Sequence, residues 1–353
     1  MNNKILIIFI LSFTFSFGSN FWSIDEYIAL HPEQQKLMEN FNSLVQADAV
    51  SLPNKNKKIK ITLIYPYEEV SDYWLKSKKS FELRMQELKI DYDLEAFFIN
   101  QSDIQSQKAQ IINALSNNSD YLIFTLNVSE HQKLISQVIS QQKTKVILQN
   151  ITTPIKSWDN NQPFMYVGFD HMEGTKLLVE YFKKQFPNGA KYIMLYHNVG
   201  YVSQMRGDSF ISLMGNKYIP SKSFFTYGKS HNAQNALQNL HDDIDFVYSC
   251  STDISVGASH GLVNLSKAKK ILLNGWGGGD KEIDMLKKGE IDVTVMRMND
   301  DNGVAMAEAI KLDITSQSNK IPLIYSGQFV LIDKNIDDVK LDSLKQKAFR
   351  YSK

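Results

Sequence analysis

IKITLIYP, residues 59–66, carries one charge, Lys60, among aliphatic and β-branched side chains. A run this short and this apolar reads as a strand buried on both faces, the kind that parallel sheets contain. Runs of the same character recur at DYLIFTL (120–126), KVILQNI (145–151), AKYIMLY (190–196), FVYSCS (246–251) and KILLNGW (270–276). Between and after them lie amphipathic stretches: Phe81, Met85 and Leu88 share a helical spacing, as do His131, Leu134 and Val138, and Val304, Ala307 and Ile310. Strand and helix alternating this often predict right-handed crossovers and parallel sheets covered on both sides.

At 353 residues the chain exceeds the size of one hydrophobic core, so two lobes are expected. The fold class read here is α/β, two doubly wound parallel-sheet lobes with a cleft between them. The boundaries expected are 20–57 for a helical leader and linker, 58–168 plus 300–320 for the N-terminal lobe, 169–299 plus 321–335 for the C-terminal lobe, and 336–353 for a tail. IPLIYSGQFVLI (321–332) is expected to return its late strand to the second sheet.

Residues 1–19 place Lys4 ahead of an apolar run, Ile5 to Phe17, and small residues at Ser16, Gly18 and Ser19. The run is shorter than a membrane span and has the layout of a cleaved export signal, so no membrane insertion is expected after cleavage. Cys250 is the sole cysteine, which leaves no intrachain disulfide to stabilise the fold. A net charge of +1 gives no general attraction for nucleic acid or acidic membranes, so any role for charge must be local.

In such a fold the residues just after each strand line the cleft. Those positions hold Glu68, Glu69, Ser71, Asp72 and Trp74 after the first run, Asn150 after VILQ, Thr252 and Asp253 after YSCS, and Trp276 in NGWGGG. Arg297 ends the apolar run VTVMR, and Arg206 lies in GYVSQMRGDSF. Taken singly, each has an ordinary use as a cap, a core side chain or half of an ion pair, Arg206 with Asp208 and Arg297 with Asp300 or Asp301. Taken together at strand exits, two arginines make a site for an anion or a dense set of ligand oxygens, and two tryptophans offer flat faces and indole N–H donors to a small ring. The seven histidines lack HExxH spacing or a cysteine partner, the glycines 275 and 277–279 do not spell G-x-G-x-x-G, and G-x-S-x-G is absent. No metal site, nucleotide site or serine nucleophile is therefore expected.

YPYEEVSDYW, ILQNITTPI, QPFMYVGFDHMEG, MRGDSF, CSTD, NGWGGG and DVTVMRMNDDNGVAMAEAIK, taken in order with the helical leader, resemble the LuxP family of periplasmic autoinducer-2 receptors. The resemblance implies a type I periplasmic binding fold, a periplasmic location, and no enzymatic activity. It implies a furanosyl borate diester as ligand, with no separate cofactor, and the periplasmic domain of a LuxQ-like sensor histidine kinase as partner. It also implies that Arg206 and Arg297 face the borate, and that Glu69, Ser71, Trp74, Asn150, Thr252 and Trp276 contact the ligand. Glu69 departs from the family's glutamine: an ionised carboxylate only accepts hydrogen bonds and repels an anion. Two other readings remain: a ribose- or galactose-type binding protein of an importer, and a secreted glycosidase using Glu68 and Glu69.

Overall fold

The computed structural model describes residues 20–353 except 101–102, 127–128, 239, 241–242 and 264–269. The expected export signal, 1–19, lies outside the described residues. A leader of two helices, α1 (Ile24–Leu30) and α2 (Glu33–Gln46), opens the described chain. Ser23 and Glu26 form a reciprocal cap on α1, which fixes where that helix starts. Phe41 and Val45 of α2 are buried, and Phe41 meets Tyr325 edge to face, so the leader belongs to the first lobe.

The alternation follows in order: β1 (Ile59–Pro66), α3 (Tyr73–Glu87), β2 (Tyr92–Ile99), α4 (Ile104–Ser116), β3 (Tyr121–Phe124), α5 (Ser129–Ser140), β4 (Lys145–Gln149) and β5 (Met165–Phe169). Then come α6 (His171–Gln185), β6 (Ala190–Tyr196), the turn α7 (Tyr201–Ser203), whose helix widens over Gln204–Asp208 before α8 (Ser209–Met214), β7 (Tyr218–Phe225) and α9 (Ser230–Gln238). The rest is β8 (Phe246–Ser249), α10 (Thr252–Leu262), β9 (Leu272–Leu273), α11 (Asp280–Lys288), β10 (Val293–Arg297), α12 (Asp300–Ile314), β11 (Ile324–Gly327), β12 (Phe329–Asp333) and α13 (Asp338–Ala348).

Every apolar run named from the sequence contributes a strand, although KILLNGW supplies only the two residues of β9. The first sheet has the order β11-β5-β4-β3-β1-β2 and is parallel throughout. The second has β7-β6-β8-β9, also parallel, continued through bridges Asn274 to Val293 and Gly277 to Met296 into the antiparallel pair β10 and β12. The segment 321–335, expected whole in the C-terminal lobe, is divided. Ile324–Gly327 joins the first sheet and Phe329–Asp333 the second, because Gln328 carries the chain across between them. Two strands carry no apolar run in the sequence. They are β2 and β7, at sheet edges, where one face is wet and polar residues alternate.

The chain crosses between the sheets three times, after Phe169, after Arg297 and at Gln328. Strand ends and helix starts from both sheets therefore converge at one level, and the cleft lies there. Beside it α12 packs on α3 without a gap: a Cβ at Gly303 would sit 2.1 Å from Ser80 Oγ, and the buried pair Arg84 and Glu308 closes at 2.6 Å.

Candidate functional site

One cavity lies between the lobes, with about 520 Å³ of empty space when its open mouth is counted. Ser71, Trp74, Asn150, Arg206, Thr252, Trp276 and Arg297 all line it, although they come from six separate parts of the chain. Each sits at the end of a strand or in the turn or helix that follows one, and doubly wound topology gathers such positions at one level.

The arginines have none of the acidic partners that their sequence neighbours offer. Asp208 instead accepts from the Tyr196 hydroxyl at 2.7 Å. Asp300 caps the tail through Tyr351 N, Ser352 N and Ser352 Oγ, and Asp301 pairs with Arg350 at 3.0 Å. Arg206, 4% exposed, donates from Nη1 to Cys250 O at 2.8 Å and lies over the Trp276 ring, 4.1 Å from its centroid. Arg297, 6% exposed, lies over the Tyr73 ring at 4.1 Å. The Nε atoms of both are buried without a hydrogen-bond acceptor. Removal from water, and next the like charge of Arg297, push the Arg206 guanidinium down to about 10.

Their supports are uncharged or already satisfied. His171 faces Arg206 Nη2 with Nδ1 at 3.4 Å and Asn150 O with Nε2 at 3.2 Å. Arginine can only donate, so Nε2 carries the ring proton; burial, then both arginines, keep the imidazole neutral by holding its pKa well below the ordinary value. Glu282 pins the NGWGGG loop, accepting from Trp276 N at 2.8 Å, Gly278 N at 2.8 Å and Thr294 Oγ1 at 2.6 Å. The Trp276 indole N–H, expected to be free for a ligand, donates to Tyr248 Oη at 3.1 Å, and one face of the ring is the shelf for Arg206. Trp74 does keep a buried, unpaired Nε1, as Asn150 does an unpaired Oδ1. Among the described residues no cluster of histidine, cysteine or carboxylate side chains could hold a metal ion.

A family model described as a periplasmic binding protein domain matches residues 61–315, which takes in every strand exit named above and all of both sheets but the start of β1 and strands β11 and β12. The chain belongs to the periplasmic binding protein family. Solved members of similar fold include an ABC transporter periplasmic solute binding protein from Actinobacillus succinogenes with bound D-allose, at 17% identity and TM-score 0.68, covering 78% of this chain and 98% of that one. A galactofuranose binding protein matches at 14% identity and TM-score 0.69, covering 82% and 99%. The XylFII–LytSN complex matches at 15% identity and TM-score 0.66, covering 79% and 98%. At such identities the likeness shows the fold alone.

Within this family site, Glu69 is the one expected contact that the structure does not bring in. Its side chain is exposed and lines an adjoining recess with Asn100, Tyr227 and Lys229. Glu68 lines the cavity in its stead: both acids follow the end of β1, where the chain bends, and Asp253 holds the backbone of Val70 and Ser71 just beyond them. Oε2 of Glu68 is buried with no hydrogen-bond partner. Burial, followed by the charge of Asp253, raises this carboxyl to about 7, against the weaker opposing pull of the nearby Ser71 hydroxyl, Arg297 and Trp74. Tyr73, His197, Asn198, Val202 and Ser251 also line the cavity and were not singled out from the sequence. Tyr73 and Ser251 flank residues that were, so position after a strand was a usable signal for them.

Proposed function

We propose that this protein is a periplasmic, non-enzymatic receptor for a small cyclic ligand with many oxygens and a concentrated negative charge. The furanosyl borate form of autoinducer-2 is the ligand of that class to which the sequence resemblance points. The observation that carries the reading is the pair Arg206 and Arg297, two buried guanidinium groups facing one cavity with no carboxylate among the described residues bonded to either. An unpaired buried charge is costly, and a compact anion would offset that cost for both at once. Ligand energy is converted to signal only if open and closed lobes bind it differently, and closure would be relayed to the periplasmic domain of a LuxQ-like sensor histidine kinase. Likeness to the XylFII chain of a complex with LytSN supports a protein partner.

A neutral sugar delivered to an importer is the second reading. Bound D-allose in one relative and a galactofuranose binding protein among the others favour it, as does Glu68, a carboxylate able to accept from a sugar hydroxyl. Titration of the purified protein, followed by Trp fluorescence, with autoinducer-2 in the presence and absence of borate separates the two. Saturation that requires borate, without competition from ribose, galactose or allose, is the expected result. Saturation by a free sugar, with no response to autoinducer-2, would replace the receptor reading with the transport one.

A further inference from the structure

Glu68 is a carboxyl group placed where an anion receptor should have none. It shares a wall of the cavity with Arg206 and Arg297, yet among the described residues it forms no ion pair, and its Oε2 is buried and unbonded. The groups that face it are Asp253 from α10, Arg297 from β10, Arg206 from the widened turn after α7, Ser71 and Trp74 from its own side, and His197 from the end of β6. The recess beside it adds Glu69 and Lys229. His197 is neutral near neutrality, since burial lowers it to about 4.

On the reading given above, we propose that an anionic ligand enters this cavity together with one proton, which binds the Glu68 carboxylate. Two physical requirements lead there. A carboxylate and an anion in one dry cavity repel, with little water to screen them. A protonated carboxyl removes that repulsion and turns the unbonded oxygen into a donor for a ligand oxygen, whereas the ionised form only accepts. The step balances simply: solvent supplies the proton, the carboxylate becomes a carboxylic acid, and no other bond changes. Because burial already raises this carboxyl to about 7, the added anion needs only to move it further upward. Glu68 thereby makes the cavity sensitive to ligand charge. Neutral ligands bind without the proton, and anionic ones pay for it as pH rises.

The test compares the wild type with Glu68→Gln, which keeps shape and supplies an N–H donor permanently. Autoinducer-2 with borate is the probe, ribose and allose the neutral comparison, and affinity is followed from about pH 6 to about pH 8.5. The ratio of wild-type to variant Kd cancels the pH dependence of the ligand itself. That ratio is expected to be flat below pH 7 and to climb toward tenfold per pH unit above it, the limit for one linked proton. Calorimetry in buffers of different ionisation heat should show about one proton more taken up by the wild type than by the variant at pH 8. Saturable binding by both proteins with a constant ratio and equal proton exchange would overturn the inference while leaving the receptor reading intact. Absence of binding by either protein, with both melting cooperatively, would defeat the receptor reading itself and this inference with it.

Discussion

Arg297 is a buried charge on the wall of the cavity. It ends a strand whose five residues are all buried, stacks on Tyr73, and leaves its Nε unbonded. A charge held this way costs the protein free energy, and on the reading proposed above an anionic ligand would offset that cost. Arg297→Gln is therefore expected to weaken binding of autoinducer-2 with borate by about 2–5 kcal/mol, the range for truncating one partner of a buried charge pair. The same variant should melt at or above the wild-type temperature when empty. Titration and thermal melts check both; a variant that binds normally but melts well below wild type would make the arginine a structural element and nothing more.

At the scale of an element, the loop NGWGGG between β9 and α11 decides where Arg297 can go. Gly277 has φ +136°, and a Cβ there would lie 2.3 Å from Arg297 Nη2, so the loop leaves out a side chain where the guanidinium sits. Gly277→Ala should cost about 1–3 kcal/mol through backbone strain and also displace the guanidinium from the cavity. Gly289, φ +71° with nothing within 4 Å of the same added atom, supplies the comparison: Gly289→Ala should cost about 1 kcal/mol and leave affinity unchanged. Equal affinity losses in the two alanine variants would refute a local role for Gly277. In the sequence these glycines show only a stretch of backbone stripped of side chains, open to whatever packs against it. The side chain they admit is the protein's own arginine, a contact between residues 20 apart in sequence that no local pattern encodes.

At the scale of the whole molecule, the lobes are tied across the cleft by Asp253. Its carboxylate, at the start of α10 in the second lobe, accepts from Val70 N at 3.0 Å and Ser71 N at 3.2 Å in the first. Lys76 reaches Asp280 across the same gap at 2.6 Å, but Asp280 is 61% exposed, and pairs in that setting contribute little. Hydrogen bonds to a largely buried carboxylate are the stronger tie, about 1.5–3 kcal/mol each in favourable cases. Asp253→Asn can accept only through its amide oxygen and turns an NH2 toward one of the two backbone donors. It should lower ligand affinity about tenfold or more and raise the radius of gyration of the empty protein in X-ray scattering, while Lys76→Ala should change either far less. The reverse order of effects would show that the surface pair, not Asp253, holds the lobes together.

The sequence by itself determined the α/β alternation, the six apolar strand runs and seven of the residues around the cavity, because buried parallel strands are apolar throughout and their exits must line the cleft. It also singled out Arg297, which ends an apolar run. Tertiary structure alone decided the rest. The edge strands β2 and β7 carry polar residues on a wet face, the strand pair after residue 321 divides between two sheets, and the acids beside Arg206 and Arg297 are taken by Tyr196 and by the C-terminal tail. Above all, it turned Glu68 rather than Glu69 into the cavity. Both acids lie in the bend that follows β1, and which one faces in depends on how that bend packs between the lobes, where Asp253 holds the backbone of Val70 and Ser71.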